Sequence, residues 1–358
     1  MTEQPLTDKP ATHDRDLLRD LSELIGVSGE EDAVRDWIAC EIRELVDDLI
    51  IDPVGNLLAV RRGTGESDLR VMAAAHMDEV GMIVTGFDSD GTIRFSNVGG
   101  LDARILPGSR VLVGPDHIPG VILWPPIHVN KSMDTVPISN LRIDIGSLSK
   151  NNAQNGIELG DRIAFDSPFI ELGPTVRGKA LDDRAGCASL IKLMQADPFP
   201  FDLHVAFTVQ EEVGLRGAQV AAQRIAPDMA FVLETTACHD LPQDESEPDH
   251  TTITQMGGGP VITVTDRTTV SDPRLVRHLL RVGDAAGIPH QFRSPMHAGG
   301  TDAGTIHRTR GGVPSVTVAN PCRYLHGPNL IMSLEDWANQ ARLLDAAWRA
   351  LTPDVLSR

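Results

Sequence analysis

The chain has 358 residues, 41% of them hydrophobic, which is enough to bury a substantial core and excludes a disordered or fibrous protein. Acidic residues outnumber basic ones by 50 to 32, giving a net charge of −18, so we expect neither nucleic acid nor a membrane as a partner. The N-terminus lacks the apolar segment of a signal peptide, and no run approaches the roughly 20 apolar residues of a membrane-spanning helix. A cytoplasmic protein is therefore predicted.

The N-terminal part of the chain predicts a frayed start followed by helices, a hairpin and a buried strand. These elements are expected at 1–12, 15–25, 28–45, 49–60 and 71–75. Ser28 and Glu31 have the spacing of a capping box, which predicts the start of the second helix. The buried strand runs directly into the polar residue His76.

From 81 to 173 the pattern changes to short β-rich runs separated by Gly, Pro, Asp and Asn. Strands are predicted at 92–95, 110–113, 120–123, 142–145 and 162–165. Runs of this length and spacing indicate a compact all-β domain inserted into the surrounding fold.

After the insert, apolar runs alternate again with amphipathic helices. Helices are predicted at 183–195, 272–286 and 333–351, and strands at 204–209, 229–233, 261–265 and 315–319. This alternation predicts an α/β fold with a mostly parallel sheet covered by helices on both faces. Residues 1–80 and 174–358 would form this catalytic α/β domain, and 81–173 the inserted β domain.

Polar residues follow apolar runs at several points of the chain, which is where open α/β sheets collect their ligands. The residues at these points are histidines and carboxylates: His76, Asp78, Asp182, Asp183, Glu211, Glu212, Glu234 and His326. Such donors suit zinc, cobalt or manganese, and the set is large enough for two ions that share a bridging carboxylate.

Each of these features also has a purely structural interpretation. A lone His-x-Asp is often a surface pair, Asp182 and Asp183 could form a helix N-cap, and two glutamates after a strand often begin a solvated helix. Together they favour a metal site, because so many buried carboxylates would repel one another without a cation.

Five segments carry a resemblance to a known family. They read AAHMDEVG at 74–81, GKALDDRAG at 178–186, VQEEVGLRGA at 209–218, GGTDAG at 299–304 and CRYLH at 322–326. In this order they resemble the dinuclear metallo-aminopeptidases that assemble as hollow tetrahedral dodecamers. That family includes glutamyl, leucyl and lysyl aminopeptidases and proteins labelled cellulase M or endoglucanase M, and the resemblance spans about 17–351.

The resemblance implies a ligand set for two divalent ions, with zinc or cobalt as the expected metal. Asp182 would bridge the two ions, His76 and Glu234 would complete one site, and Glu212 and His326 would complete the other. Two such cations polarise a scissile carbonyl and lower the pKa of a bridging water.

The resemblance also implies roles beyond metal binding. Glu211 would be the general base, and Asp78 would accept the second N–H of the His76 imidazole. Asp183 would share in a strained peptide with Asp182. The β insert would pair subunits into dimers from which a homo-dodecamer is built.

The sequence departs from the family pattern at Glu234, where many relatives carry Asp. His239 is a candidate sixth ligand, although a solvated loop histidine is the simpler interpretation. The same two interpretations apply to His297. We interpret Lys179 and Arg184, which flank the bridging carboxylate, as surface or ion-pair residues.

The predicted function is the removal of N-terminal residues from peptides. A deacylase or a carboxypeptidase on the same dinuclear site is the alternative, since these metals hydrolyse any suitably placed amide. A glycosidase is disfavoured because aromatic residues make up only 4% of the chain. Loops around 257–260 and 298–305 are expected to build the substrate pocket, whose side-chain preference stays open.

Overall fold

A computed structural model describes residues 12–125, 128, 134–238, 240–241, 254–293 and 299–357. The predicted frayed segment, apart from Thr12, lies outside the described residues, as do His239 and His297. All four cysteines are described, and none of them forms a disulfide.

The described residues contain eight α-helices. They are α1 (Thr12–Glu23), α2 (Asp32–Ile42), α3 (Lys150–Ala153), α4 (Leu181–Gln195), α5 (Arg216–Ile225), α6 (Pro273–Ala286), α7 (Ala303–Ile306) and α8 (Leu334–Arg349). Within this described part of the chain, no helix has both the length and the apolar character needed to cross a membrane.

The strands form one large sheet and one closed barrel. In chain order they are β1 (Asp48–Ile51), β2 (Leu57–Arg61), β3 (Arg70–His76), β4 (Gly81–Phe87), β5 (Ile93–Val98), β6 (Arg110–Val113), β7 (Ile118–Ile122), β8 (Ile143–Asp144), β9 (Arg162–Phe165), β10 (Ile170–Leu172), β11 (Thr175–Gly178), β12 (Asp202–Thr208), β13 (Met229–Ala237), β14 (Val261–Thr263), β15 (Gln291–Phe292), β16 (Ser315–Arg323) and β17 (Leu330–Ser333).

The large sheet has 11 strands: nine follow the order β1-β2-β12-β3-β13-β16-β17-β11-β10, and β14 pairs with β16 and with β15. The four central strands, β12, β3, β13 and β16, are parallel as predicted. The strands that flank them pair antiparallel. The sheet is therefore mixed, with its parallel part at the centre.

Side chains of the central strands alternate between two apolar layers, because successive residues of a strand point to opposite faces. On β3, Val71 and Ala73 pack in a core with α1, α2, α4, α6 and α8. Met72 and Ala74 pack on the other face, against α5 and α7. Helices therefore cover both faces, which explains why the central strands read as continuous apolar runs.

The barrel is closed by six strands in the order β4-β5-β8-β7-β6-β9 and has its own core. These strands lie between Gly81 and Phe165, inside the segment predicted as an all-β insert. β10, at the end of that segment, pairs with β11 in the large sheet. The division of the chain into domains stays a prediction.

The capping box predicted at Ser28 and Glu31 is wrong, because these side chains make tertiary contacts instead of capping α2. Ser28 donates its hydroxyl to Asp78 at 2.6 Å instead of capping α2. The helix begins at Asp32 after Glu31, whose side chain forms no cap hydrogen bond. Helix α5 was not predicted, because its buried face is mostly alanine and therefore gives a weak apolar pattern in the sequence.

Candidate metal centre

The carboxyl edge of the parallel strands brings the predicted ligands together. His76 is the last residue of β3, and Glu234 lies within β13. Glu211 and Glu212 follow β12, His326 follows β16, and Asp182 lies in the first turn of α4. The peptide bond between Asp182 and Asp183 is cis.

Asp182 lies between the two histidines and turns one carboxylate oxygen to each. Its Oδ1 is 3.4 Å from Nε2 of His76, and its Oδ2 is 3.7 Å from Nε2 of His326. Glu234 Oε1 is 3.3 Å from the same nitrogen of His76. Glu212 Oε2 is 3.5 Å from the same nitrogen of His326. The donors therefore form two groups that share one carboxylate.

Three of these four separations match metal coordination, and the 3.7 Å between Asp182 Oδ2 and His326 Nε2 is slightly longer. Ligands that bind one ion tetrahedrally at about 2.0–2.1 Å lie about 3.3–3.5 Å from one another. Among the described residues, Asp182 Oδ1 and Glu234 Oε2 are buried and have no hydrogen-bond partner. Buried carboxylate oxygens of this kind are costly unless a cation or donor satisfies them. The residues present thus fit divalent metal ions.

The charges of the cluster lead to the same conclusion. Burial favours a raised pKa for Asp182, yet His76 and His326 lower it to about 2. Burial raises the pKa of Glu234 to about 8, against the opposing effect of His76. Burial likewise raises the pKa of Glu212 well above its ordinary value, and nearby Asp182 adds to this. Added positive charge would therefore favour the ionised forms of Glu212 and Glu234.

Asp78 holds the loop that carries the two glutamates. Its Oδ1 accepts the backbone N–H of Glu211 at 3.0 Å, and its Oδ2 accepts that of Glu212 at 3.2 Å. Nδ1 of His76 lies 3.0 Å from the backbone carbonyl oxygen of Asp78 and 3.5 Å from its carboxylate. The backbone of Asp78 thus orients the imidazole, and its side chain orients the glutamates.

His326 is oriented by the barrel segment, through a contact that was not predicted from the sequence. Its Nδ1 lies 2.8 Å from the carbonyl oxygen of Gly100, which follows β5. A donated Nδ1–H leaves Nε2 facing Asp182 and Glu212. A Cβ on Gly100 would lie 3.1 Å from Nδ1 of His326, so glycine fits best here. In the sequence, the adjacent glycines Gly99 and Gly100 could have indicated that another group approaches the backbone closely here.

Lys179 and Arg184 form a buried ion-pair network under the site. Lys179 Nζ lies 2.7 and 2.9 Å from the two carboxylate oxygens of Glu79, and Arg184 Nη2 lies 3.4 Å from one of them. Arg184 also donates to the carbonyl oxygen of Met77 at 2.6 Å. The ion-pair interpretation is confirmed, and the surface interpretation is wrong because both side chains are buried.

A cavity of about 970 Å³ opens onto the cluster. Its lining includes Gly100 and Ile105 of the barrel segment, together with Arg267, Arg293 and the Gly-rich loop that begins at Gly299. The predicted pocket loop at 257–260 is not among the described lining residues. Two of its backbone N–H groups bind the carboxylate of Asp336 instead.

Histidines and carboxylates at the carboxyl edge of an α/β sheet, beside a large cavity, define a metal-dependent hydrolase. The family model described as M42 glutamyl aminopeptidase matches residues 55–343, and the chain belongs to this peptidase family. It is accordingly an aminopeptidase, a metal-dependent hydrolase of peptide bonds.

Individual relatives match over nearly their whole length. The glutamyl aminopeptidase of Lactococcus lactis is 31% identical over 356 residues, which cover 96% of this chain and 98% of the relative. An aminopeptidase from the archaeon Desulfurococcus kamchatkensis has a TM-score of 0.90 at 33% identity, covering 96% and 97% of the two chains. The TET1 peptidase of Pyrococcus horikoshii, reported to assemble into a tetrahedron or a large octahedral shell, has a TM-score of 0.82 at 30% identity, covering 94% and 100%.

Proposed function

We propose that this aminopeptidase holds two divalent ions, zinc or cobalt, bridged by Asp182. His76 and Glu234 would complete one site, and Glu212 and His326 the other. The observation that carries this proposal is the division of the Asp182 oxygens between the two histidines, at 3.4 and 3.7 Å. When bound, such ions polarise a scissile carbonyl and lower the pKa of a water molecule.

Glu211 is the proposed general base. It lies in the same donor group as His76 and Glu212, and Asp78 fixes its backbone. Burial raises the pKa of the Glu211 carboxyl well above its ordinary value, which suits a group that must accept a proton near neutral pH. Its carboxylate would take the proton from the attacking water and pass it to the leaving amine.

We also propose that the chain is a homo-oligomer, a dodecamer built from dimers that the barrel pairs. The tetrahedral assembly reported for the TET1 peptidase supports this proposal. Large apolar side chains are exposed on the barrel segment, among them Trp124 at 62% and Leu148 at 89%. Such side chains favour burial against a second copy. A cytoplasmic location stays a prediction from the sequence.

The first experiment compares free-amino and N-acetylated aminoacyl anilides as substrates of protein loaded separately with zinc and cobalt. We expect cleavage of the free-amino substrates alone, abolished by a chelator and restored by the metal. Cleavage of acetylated substrates alone would instead support the deacylase alternative. Activity that survives complete chelation would contradict a metal-dependent site.

A further inference from the structure

We propose that Glu31 is a positioning residue of the aminopeptidase reaction, which holds the backbone just before Glu211 and thereby directs the carboxylate of that base. This inference rests on the proposed function, in which Glu211 takes the proton from the attacking water. Glu31 directly precedes α2 and is not among the described lining residues of the cavity. It would therefore act on the reaction through the backbone and not by contact with the substrate.

The four residues that follow β12, at 209–212, form the segment that carries the proposed base. Each of their backbone N–H groups donates to an oxygen of a buried side chain. Val209 donates to Oδ1 of Asn56 at 3.0 Å, and Gln210 donates to Oε1 of Glu31 at 3.2 Å. The next two N–H groups donate to the carboxylate of Asp78. Three side chains from other parts of the chain thus hold this base segment, and Glu31 holds the residue directly before the base.

Gln210 is the residue of the base segment that most needs such support. Its φ is 57°, in the left-handed region that residues with a side chain rarely adopt. A conformation of this kind persists where surrounding groups enforce it. The N–H of Gln210 is bound by Glu31, and its carbonyl oxygen accepts the N–H of Arg216 at 3.2 Å. Because the chain turns at Gln210, its backbone angles decide where the side chain of Glu211 points.

Glu31 is itself fixed within a short supporting segment, 28–31. Its Oε1 also accepts the backbone N–H of Gly29 at 2.7 Å. Ser28 donates its hydroxyl to Asp78 at 2.6 Å, and its carbonyl oxygen accepts Nε of Arg162, on β9, at 3.1 Å. The same segment therefore supports both carboxylates that hold the last three residues of the base segment.

The position of the Glu31 oxygen should matter more than its charge. A general base must keep its carboxylate within hydrogen-bond reach of the proton that it accepts, and a displacement of about 1 Å can cost up to 10²-fold in rate. A backbone N–H needs only an acceptor, which an amide oxygen also supplies. Glu31→Gln keeps that oxygen in reach without the charge, whereas Glu31→Asp keeps the charge and withdraws the oxygen by one methylene. The two variants therefore separate position from charge.

The test compares kcat, KM and metal content between these variants and the wild-type protein, with the free-amino anilides as substrates. We expect Glu31→Asp to lower kcat about tenfold, with little change in KM or in metal content. Glu31→Gln should keep kcat close to the wild-type value. The control is Asp336→Ala, which removes a buried carboxylate that accepts the N–H groups of Gly257 and Gly259 outside the described cavity lining. This control should also keep kcat.

A double-mutant cycle tests whether Glu31 acts through Glu211. In the Glu211→Gln background, the further change Glu31→Asp should leave kcat as it is, because the base is already lost. Losses that multiply in the double variant would show that Glu31 acts elsewhere and would overturn the proposal. A wild-type kcat in Glu31→Asp, a loss of its metal, or equal losses of kcat in Glu31→Asp and Glu31→Gln would overturn it as well.

Hydrogen exchange followed by mass spectrometry tests the same contact without turnover. We expect faster exchange at 209–212 in Glu31→Asp, and faster exchange at 257–259 in Asp336→Ala. Unchanged exchange at 209–212 in Glu31→Asp would overturn the proposal. A near-normal kcat in Glu211→Gln would contradict the proposed base instead, and hydrogen exchange would still decide whether Glu31 holds the base segment.

Discussion

Glu211 and Glu212 are neighbours in the chain, yet we propose different roles for them. One carboxylate, that of Asp78, holds the backbone of both residues. Oε2 of Glu212 lies 3.5 Å from His326 Nε2, and both glutamates also belong to a donor group with His76. This arrangement gives adjacent residues separable roles, which single substitutions can distinguish.

We expect Glu211→Gln to keep its metal content and to lose about 10²- to 10⁴-fold in kcat, because the amide cannot accept a proton. Glu212→Gln should instead lose metal, since it removes a charged ligand. Elemental analysis of purified protein, combined with kcat measurements, distinguishes the two effects. A near-normal kcat in Glu211→Gln would show that another residue is the base.

Lys179 provides a second prediction at the scale of the residue. The substitution Lys179→Met leaves the buried Glu79 with the longer 3.4 Å contact to Arg184 as its one remaining cation contact among the described residues. We expect a loss of about 3 kcal/mol in the free energy of unfolding, measured by denaturant titration.

Arg62→Gln is the control for this variant. It breaks an ion pair with Asp202 in which the arginine is exposed, and it should cost less than about 1 kcal/mol. Equal stability losses for Lys179→Met and Arg62→Gln would contradict the importance of burial at Glu79.

At the scale of elements, the proposed metal centre draws on a loop of the barrel as well as on the strands of the sheet. The residues that follow β5 line part of the cavity, and Gly100 accepts a hydrogen bond from His326. The barrel therefore contributes to the geometry of the centre in addition to any role in assembly.

We expect Gly100→Ala to weaken metal binding about tenfold, because the new Cβ would lie 3.1 Å from Nδ1 of His326 and displace the imidazole. Gly86→Ala on β4 is the control, since its Cβ would meet only the flexible side chain of Arg94 at 3.4 Å. Competition with a chromophoric chelator measures the affinity. Unchanged affinity in Gly100→Ala would show that the barrel loop does not orient the ligand.

At the scale of the whole molecule, metal and stability should be linked. The proposed ligands come from β3, β13, α4 and the segments after β12 and β16, so bound ions connect much of the large sheet. We expect chelation to lower the melting temperature by about 5 °C or more, with recovery on adding zinc or cobalt. Calorimetry of the chelated and reloaded protein provides the measurement. An unchanged melting temperature would argue against ions at this site.

Assembly is the second prediction at this scale. Twelve copies of a 38.7 kDa chain have a mass of roughly 460 kDa, which light scattering distinguishes readily from a monomer or a dimer. We expect the large species, because the apolar side chains exposed on the barrel segment favour burial against another copy. A monodisperse monomer would contradict the proposed assembly.

The sequence by itself determined the alternation of strands and helices, the β-rich insert and the candidate ligands. These features are local: an apolar run sets a buried strand, and the polar residue at its end must then lie at the edge of the sheet. His76 at the end of β3 and Glu211 after β12 follow directly from this rule. The resemblance to the family added the expected roles of the residues.

Only the tertiary structure decided which atoms meet. The two oxygens of Asp182 are divided between histidines from distant parts of the chain, and His326 is oriented by Gly100, 226 residues away. The burial of Lys179 and the placing of Arg267 beside the metal centre depend in the same way on strand register and on how the barrel sits against the sheet. Such contacts join residues that no local pattern relates, so they become visible only when the chain is folded.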